Sequence, residues 1–202
     1  MKNFIGILGL LTVTAYGFAD MLKQEAWTEA SQARSGMASA SQEFFDKALL
    51  STNPQAQIEW YSKALLEDKY FLEAFVNRGI AHGKNTEFSK AILDFESAMT
   101  IDAKDPLPYV NRAYALLLQQ DYAAAITDYD RAIGLNPTNA VIHNSRAYAL
   151  YLKGDFEKAL KDYDQAIALN PKEVYFYYNR GTLKKRMGDE AGAQADWEQN
   201  AG

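Results

Sequence analysis

Residues 140–173 have the sequence AVIHNSRAYALYLKGDFEKALKDYDQAIALNPKE, a pattern that recurs along most of the chain. Arginines occur 34 residues apart, at Arg78, Arg112, Arg146 and Arg180. An aspartate followed by an aromatic residue repeats at the same interval, at Asp94-Phe95, Asp128-Tyr129, Asp162-Tyr163 and Asp196-Trp197, with Tyr61 one period upstream. Columns that stay in step at a fixed period of this length predict a solenoid of repeated structural units.

Each repeated unit has the pattern of two helices. Residues 140–153 have helical spacing, and Gly154 stands where a left-handed residue ends a helix. Asp155 is placed to cap the second helix, which is expected to run to about Leu169. Asn170-Pro171 ends that helix because a residue before proline avoids the α conformation. The sequence therefore predicts an all-α fold in which helices and turns alternate.

The small and aromatic positions of this unit resemble those of the tetratricopeptide repeat (TPR) family. The residues that carry the resemblance are Ala147, Ala159, Tyr163, Ala166 and Pro171, at positions 8, 20, 24, 27 and 32 of the unit. Residues 72–105 and 106–139 fit the same spacing nearly as well. The resemblance implies a right-handed superhelical solenoid of antiparallel helix pairs. The uncharged run near the amino end predicts a hydrophobic helix before it.

The expected domain boundaries follow from the repeats. We predict a signal peptide or membrane-anchor helix at 1–22, a helical stalk or linker at 23–40, and the TPR solenoid at 41–202. The solenoid divides into a degenerate repeat at 41–71, repeats at 72–105, 106–139 and 140–173, and a terminal repeat at 174–202. The first repeat is degenerate because Phe45 stands where a small residue is expected. The terminal one has polar residues, Glu190 and Gln194, as a solvent-facing end should.

Two interpretations fit the uncharged run at residues 4–19, which lies between Lys2 and Asp20. It has the features of a secretory signal peptide, with Gly17 and Ala19 placed as a cleavage site requires. Alternatively residues 4–22 are retained as a membrane anchor, since a helix of that length spans about 28 Å. In both cases Lys2 places the amino end in the cytoplasm, so the remainder is expected to be exported. Of the two interpretations, retention as an anchor is favoured.

Composition excludes several classes of function. The 202 residues include 21 Lys and Arg against 26 Asp and Glu, a formal charge of −5, which argues against a nucleic-acid partner. There is no cysteine, hence no thiol nucleophile or cysteine metal site. His82 and His143 are not at metal-ligand spacing, and the chain has no phosphate-binding glycine loop or serine elbow. We therefore predict no catalytic site, no metal, no cofactor and no small-molecule substrate.

The recurring arginines and aspartates are expected to form ion pairs, because their two columns lie on facing sides of paired helices. The predicted pairs are Arg78 with Asp94, Arg112 with Asp128, Arg146 with Asp162, and Arg180 with Asp196. Their repetition in every unit is typical of a structural role, since a catalytic site needs only one copy.

The resemblance also implies a concave groove, lined mainly by the first helix of each unit. The residues that it assigns to partner binding are Asn77, Val110, Asn111, Tyr114, Leu118, Asn144, Tyr148, Tyr151, Tyr175, Tyr178, Asn179, Lys185 and Arg186. Asn77, Asn111 and Asn179, at the sixth position, resemble a ladder that holds a peptide backbone in some TPR proteins, although a capping or bridging role between helices is favoured. The tyrosines form an aromatic stripe typical of interface anchors.

These features predict a non-catalytic protein–protein interaction scaffold. The first hypothesis is a membrane-anchored TPR adaptor, assembly factor or accessory subunit of a membrane protein complex, which binds a partner peptide or helix in its groove. The second is a soluble exported protein of the periplasm or a lumen that binds a peptide or envelope component after signal cleavage. An enzyme whose site is not recognisable is the least favoured hypothesis.

Overall fold

The computed structural model describes residues 40–199, which form ten α-helices. They are α1 Ala40–Leu50, α2 Pro54–Glu67, α3 Leu72–Lys84, α4 Phe88–Ile101, α5 Pro106–Leu118, α6 Tyr122–Leu135, α7 Ala140–Lys153, α8 Phe156–Leu169, α9 Val174–Arg186 and α10 Glu190–Glu198. The predicted anchor or signal helix at 1–22 and, except for Ala40, the stalk lie outside the described residues. Within the described range, no helix combines the length and the apolar content needed to cross a bilayer.

The helices pair in chain order into five hairpins, which stack one after another. Each odd-numbered helix packs on the even-numbered helix that follows it, and those from α3 onward also pack on the one that precedes them. The odd-numbered helices also contact each other from unit to unit, α3 with α5 and α7 with α9, whereas no pair of even-numbered helices between residues 40 and 199 makes comparable contact. The first helices therefore line the inner face of the stack, and the second helices line the outer face. The predicted all-α solenoid is confirmed.

A left-handed residue turns the chain between the two helices of a unit. Gly154 has φ 94° and Gly188 has φ 88°, and the same place in the two preceding units holds Gln120 with φ 65° and Thr86 with φ 61°. The sequence signals only the two glycines, because side chains other than glycine enter this conformation at a cost of about 1 kcal/mol. The left-handed turn is thus common to these four units even where glycine is absent.

The predicted cap at Asp155 is not formed. Asp155 occupies the N-cap position of α8, but its side chain makes no hydrogen bond to the first turn. Its carboxylate instead lies 3.0 Å from the Lys153 ammonium. In the units on either side the equivalent residues do cap their helices: Asp121 accepts from the amide of Ala124, and Asp189 accepts from that of Gly192. The nearby lysine competes for the carboxylate of Asp155, and it has no counterpart in the other two turns.

The small and aromatic columns meet inside each unit. A Cβ atom on Gly79 would lie 2.6 Å from the ring of Phe95, and one on Gly181 would lie 2.6 Å from the ring of Trp197. Ala113 and Ala147, which occupy the same position, are fully buried. The first helix therefore carries a small residue where the second helix presents its large ring.

The first hairpin departs from the others in a consistent way. Phe44 and Trp60, one period before Arg78 and Asp94, stack with ring centroids 6.0 Å apart. An aromatic pair thus replaces the ion pair of the later units. Phe45, in place of the small residue, packs 5.4 Å from Tyr61.

Candidate functional site

Every predicted Arg–Asp pair is in contact in the structure. Arg112 donates from Nε and Nη2 to the two carboxylate oxygens of Asp128, and both distances are 2.7 Å. The other three pairs have the same two-point geometry, at Arg78–Asp94, Arg146–Asp162 and Arg180–Asp196. The aspartates are buried, so each carboxylate depends on its arginine for hydrogen bonds that water would otherwise supply.

Each arginine also reaches back to the preceding unit, which the sequence analysis did not predict. The Nη1 of Arg146 donates to Asp130 at 2.7 Å, and the Nη1 of Arg180 donates to Asp164 at 2.7 Å. The corresponding acceptors in the earlier units are Glu96 for Arg112 and Ser62 for Arg78. Residues 62, 96, 130 and 164 form a further column with the period of 34, which would have been the signal. The arginines therefore tie successive hairpins together.

Hydrogen bonds within the pairs favour the charged forms of Arg112 and Asp196. The hydrogen bond to Asp128 raises the pKa of Arg112, against the opposing effect of burial. Burial alone would raise the pKa of Asp196, but hydrogen bonds from Arg180 and Lys184 bring that pKa below its usual value of 3.8. Both shifts have the direction expected of a structural ion pair.

The asparagine column is occupied by contacts between and within helices. Asn111 donates to the carbonyl of Leu107 in its own helix, and Asn179 donates to the side chain of Asn144 at 3.0 Å. These three asparagines are between 2% and 3% exposed, so their amides do not reach the groove surface. Asn77 is half-buried and donates to the carbonyl of Glu73. Only Asn179 bridges two helices, whereas Asn77 and Asn111 bond within their own helix.

A cluster of tyrosines lies where the third and fourth hairpins meet. It consists of Tyr114 on α5, Tyr122 on α6, and Tyr148 and Tyr151 on α7, and we call it the tyrosine cluster. The rings of Tyr148 and Tyr151 stack with centroids 6.3 Å apart. Burial raises the pKa of Tyr148 to about 12, and the other three hydroxyls add to the shift. Tyr122 was not among the predicted residues, although Phe88, Tyr122 and Phe156 repeat at the period of 34.

The remaining predicted partner residues differ in accessibility. Val110 is only 2% exposed and belongs to the core, so it is not a surface contact. Leu118 is half-buried, and Tyr175 packs edge-on against Phe176 with centroids 4.5 Å apart. Tyr178 is 39% exposed. Lys185 and Arg186, at the end of α9, are exposed, and the Lys185 ammonium lies 5.5 Å from the Trp197 ring.

Comparison with known proteins agrees with this architecture. A family model described as TPR repeat matches residues 114–154 and 147–188. These residues are TPR repeats. No curated protein is significantly similar to it in sequence.

Several solved TPR structures share the fold. Residues 41 to the end of MamA from Desulfovibrio magneticus RS-1 superpose with a TM-score of 0.73 at 16% identity, over 81% of this chain and 94% of that one. YrrB, described as a TPR protein with an unusual peptide-binding site, gives 0.63 at 19% identity, over 87% and 90% of the two chains. The first TPR of Spaghetti (RPAP3), solved with the HSP90 peptide SRMEEVD, gives 0.57 at 22% identity, over 60% and 96%.

The TPR register also explains the buried histidine of the fourth unit. His143 donates from Nε2 to the carbonyl of Pro137 at 2.9 Å. At the same position of the neighbouring TPR units, Tyr109 donates to the carbonyl of Ala103 and Tyr177 donates to that of Pro171. His143 therefore makes the hydrogen bond that tyrosine makes in those units, and this bond stabilises the turn between two units.

Proposed function

We propose that this TPR protein is a non-catalytic scaffold that holds a peptide segment or a helix of a partner protein in its concave groove. The groove is the inner face formed by α3, α5, α7 and α9. The main support is that tyrosine rings on successive first helices remain partly accessible. The repeated arginines and aspartates, by contrast, pair with each other inside the scaffold. Tyrosine rings contribute large apolar area at low entropic cost, which makes them effective interface anchors.

Two structural neighbours support a peptide as the occupant. The description of YrrB names a peptide-binding site, and the RPAP3 repeats were solved with a peptide bound. In the present chain Tyr151 is half-buried and Tyr178 is 39% exposed, and they lie on consecutive first helices, α7 and α9. A partner that lies along the groove would contact both.

The test is selection of peptides displayed on phage against the immobilised full chain. We expect recovery of a peptide family by the wild type and about a tenfold loss of its affinity in the Tyr151→Ala/Tyr178→Ala variant, because interface anchors contribute more than 1 kcal/mol each. Tyr70→Ala, at a tyrosine that is 68% exposed in the α2–α3 connection, is the matched control. Equal affinity of the double variant and the control would exclude the groove as the binding site.

We propose in addition that residues 4–22 anchor the protein in a membrane, with the repeats on the periplasmic or lumenal side, as an adaptor, assembly factor or accessory subunit of a membrane protein complex. The proposal is supported by the uncharged run that follows Lys2. The second candidate is a soluble exported protein released by cleavage before Asp20. Carbonate extraction of native membranes followed by amino-terminal sequencing separates the two. We expect a pelleted species that retains residues 4–22, and a soluble species that begins at Asp20 would contradict the anchor.

A further inference from the structure

A cleft on the outer face of the solenoid differs in charge from its counterparts in the other units. It has a volume of about 340 Å³ and lies between α6 and α8, which both pack on α7. Its lining residues are Ile126, Asp130, Arg146, Leu150, Lys153, Asp155, Lys158, Lys161 and Asp162. Ile126 and Leu150 give it an apolar part, and the three lysines are exposed to solvent. We call it the basic cleft.

The ion pairs inside the basic cleft leave one cation unmatched. Arg146 binds the carboxylates of Asp130 and Asp162, which satisfies both aspartates. Lys153 and Lys158 lie 3.0 Å and 3.9 Å from the single remaining carboxylate, that of Asp155. Lys161 forms no ion pair with any residue between 40 and 199. Four cations therefore face three carboxylates in a protein whose total charge is negative.

The equivalent clefts of the neighbouring units lack this excess. One period earlier, Gln119, Ala124 and Thr127 replace the three lysines, and a single arginine faces three carboxylates. One period later the same places hold Met187, Gly192 and Ala195. There two cations, Arg180 and Lys184, face three carboxylates. A charge pattern that recurs in every unit is typical of a structural role. The excess of lysines occurs in this unit and not in the two beside it, which indicates a different role.

We propose that the basic cleft binds an acidic peptide segment, with a carboxylate side chain at Lys161 and an adjacent apolar side chain against Ile126 and Leu150. The Lys161 ammonium supplies the positive charge that the peptide carboxylate needs, and Lys153 and Lys158 line the same cleft and can bind that carboxylate too. The volume lies at the small end of the range for ligand sites and accommodates about two side chains. The basic cleft is on the opposite face from the groove, so this proposal is independent of the function proposed above.

Fluorescence anisotropy with the full chain tests the proposal. The probe is a fluorescein-labelled peptide of four Leu-Glu dipeptides, and its control replaces every Glu with Gln. We expect binding of the Leu-Glu peptide that weakens as salt is added, and about tenfold weaker binding by the Lys153→Gln/Lys158→Gln/Lys161→Gln variant. The matched control is Lys90→Gln, because Lys90 occupies the position of Lys158 two units earlier. This control should bind as the wild type does.

Three outcomes would overturn the proposal. The first is equal affinity of the triple lysine variant, with an unchanged circular dichroism spectrum, and the wild type. The second is equal binding of the Leu-Gln peptide, since that would remove the carboxylate from recognition. The third is displacement of the peptide by inorganic phosphate or acetate at the concentration at which the peptide itself binds, because a site for small anions needs no peptide. The Tyr151→Ala/Tyr178→Ala variant should bind the Leu-Glu peptide normally, and loss of binding there would assign the peptide to the groove instead.

Discussion

Replacing Arg112 with alanine is expected to lower the free energy of unfolding by about 3 kcal/mol and the melting temperature by roughly 10 °C. Arg112 is 24% exposed and Asp128 is 7% exposed, so the substitution leaves a buried carboxylate without its cation. It also breaks the 3.1 Å contact with Glu96 of the preceding unit. Urea denaturation and thermal melts, both followed by circular dichroism, measure the change.

Two further variants separate the ion pair from other effects. Arg131→Ala removes an exposed arginine that lies over the Tyr109 ring at 5.8 Å, and it should change stability by about 0.5 kcal/mol or less. Arg112→Met combined with Asp128→Leu should recover most of the loss, since neither charge is then buried alone. If Arg112→Ala were as stable as Arg131→Ala, the repeated pairs would not be holding the units together.

Replacing Tyr129 with alanine is expected to cost about 3 to 5 kcal/mol and to separate the unfolding of the two ends of the solenoid. Tyr129 is 2% exposed and lies in the largest core cluster, among residues of α5, α6 and α7. Burial raises the pKa of its hydroxyl, and Ser145 of the next unit offsets part of that rise. Because the extensive contacts between hairpins in residues 40–199 are between neighbours, a cavity in the middle hairpin weakens the link between the halves.

Tryptophan fluorescence can report on each end separately. Trp60 lies on α2 and Trp197 lies on α10, so single-tryptophan proteins follow the first and the last hairpin. With Trp27 and one of these replaced by phenylalanine, the parent should give the same urea midpoint at both ends, and Tyr129→Ala should give two. The control Tyr129→Phe removes only the hydroxyl and should cost about 1 kcal/mol with coincident midpoints. Coincident midpoints in Tyr129→Ala would mean that the middle hairpin does not couple the halves.

The periodicity predicted the fold because each column has a geometric reason that repeats with it. The rings of Phe95 and Trp197 pack against Gly79 and Gly181, where a side chain would clash. Each of the four repeated aspartates is buried and forms an ion pair with an arginine of its own unit. The turns were predicted only in part, since Thr86 and Gln120 adopt the left-handed conformation that glycine signals at two other places. Propensity alone cannot reveal a conformation that the two flanking helices impose.

The candidate site was less predictable than the fold. Position in a TPR unit placed Val110 and Asn111 in the groove, but both are 2% exposed. It did not place Tyr122 beside Tyr148, because Tyr122 lies on a second helix and meets Tyr148 only across the boundary between units. Accessibility of a groove position depends on how closely the adjacent hairpin packs, which no single unit specifies.

The sequence by itself determined the repeated hairpin, its period and the pairing of Arg112 with Asp128, because those contacts lie within one unit and recur in each. Only the tertiary structure decided which charges bridge units and which remain unmatched. Arg146 binds Asp130 of the preceding hairpin, and Lys161 binds no carboxylate between residues 40 and 199. Contacts between units depend on how hairpins stack. The way adjacent hairpins stack sets the distances between their charged side chains, and the spacing of residues along the chain does not specify those distances.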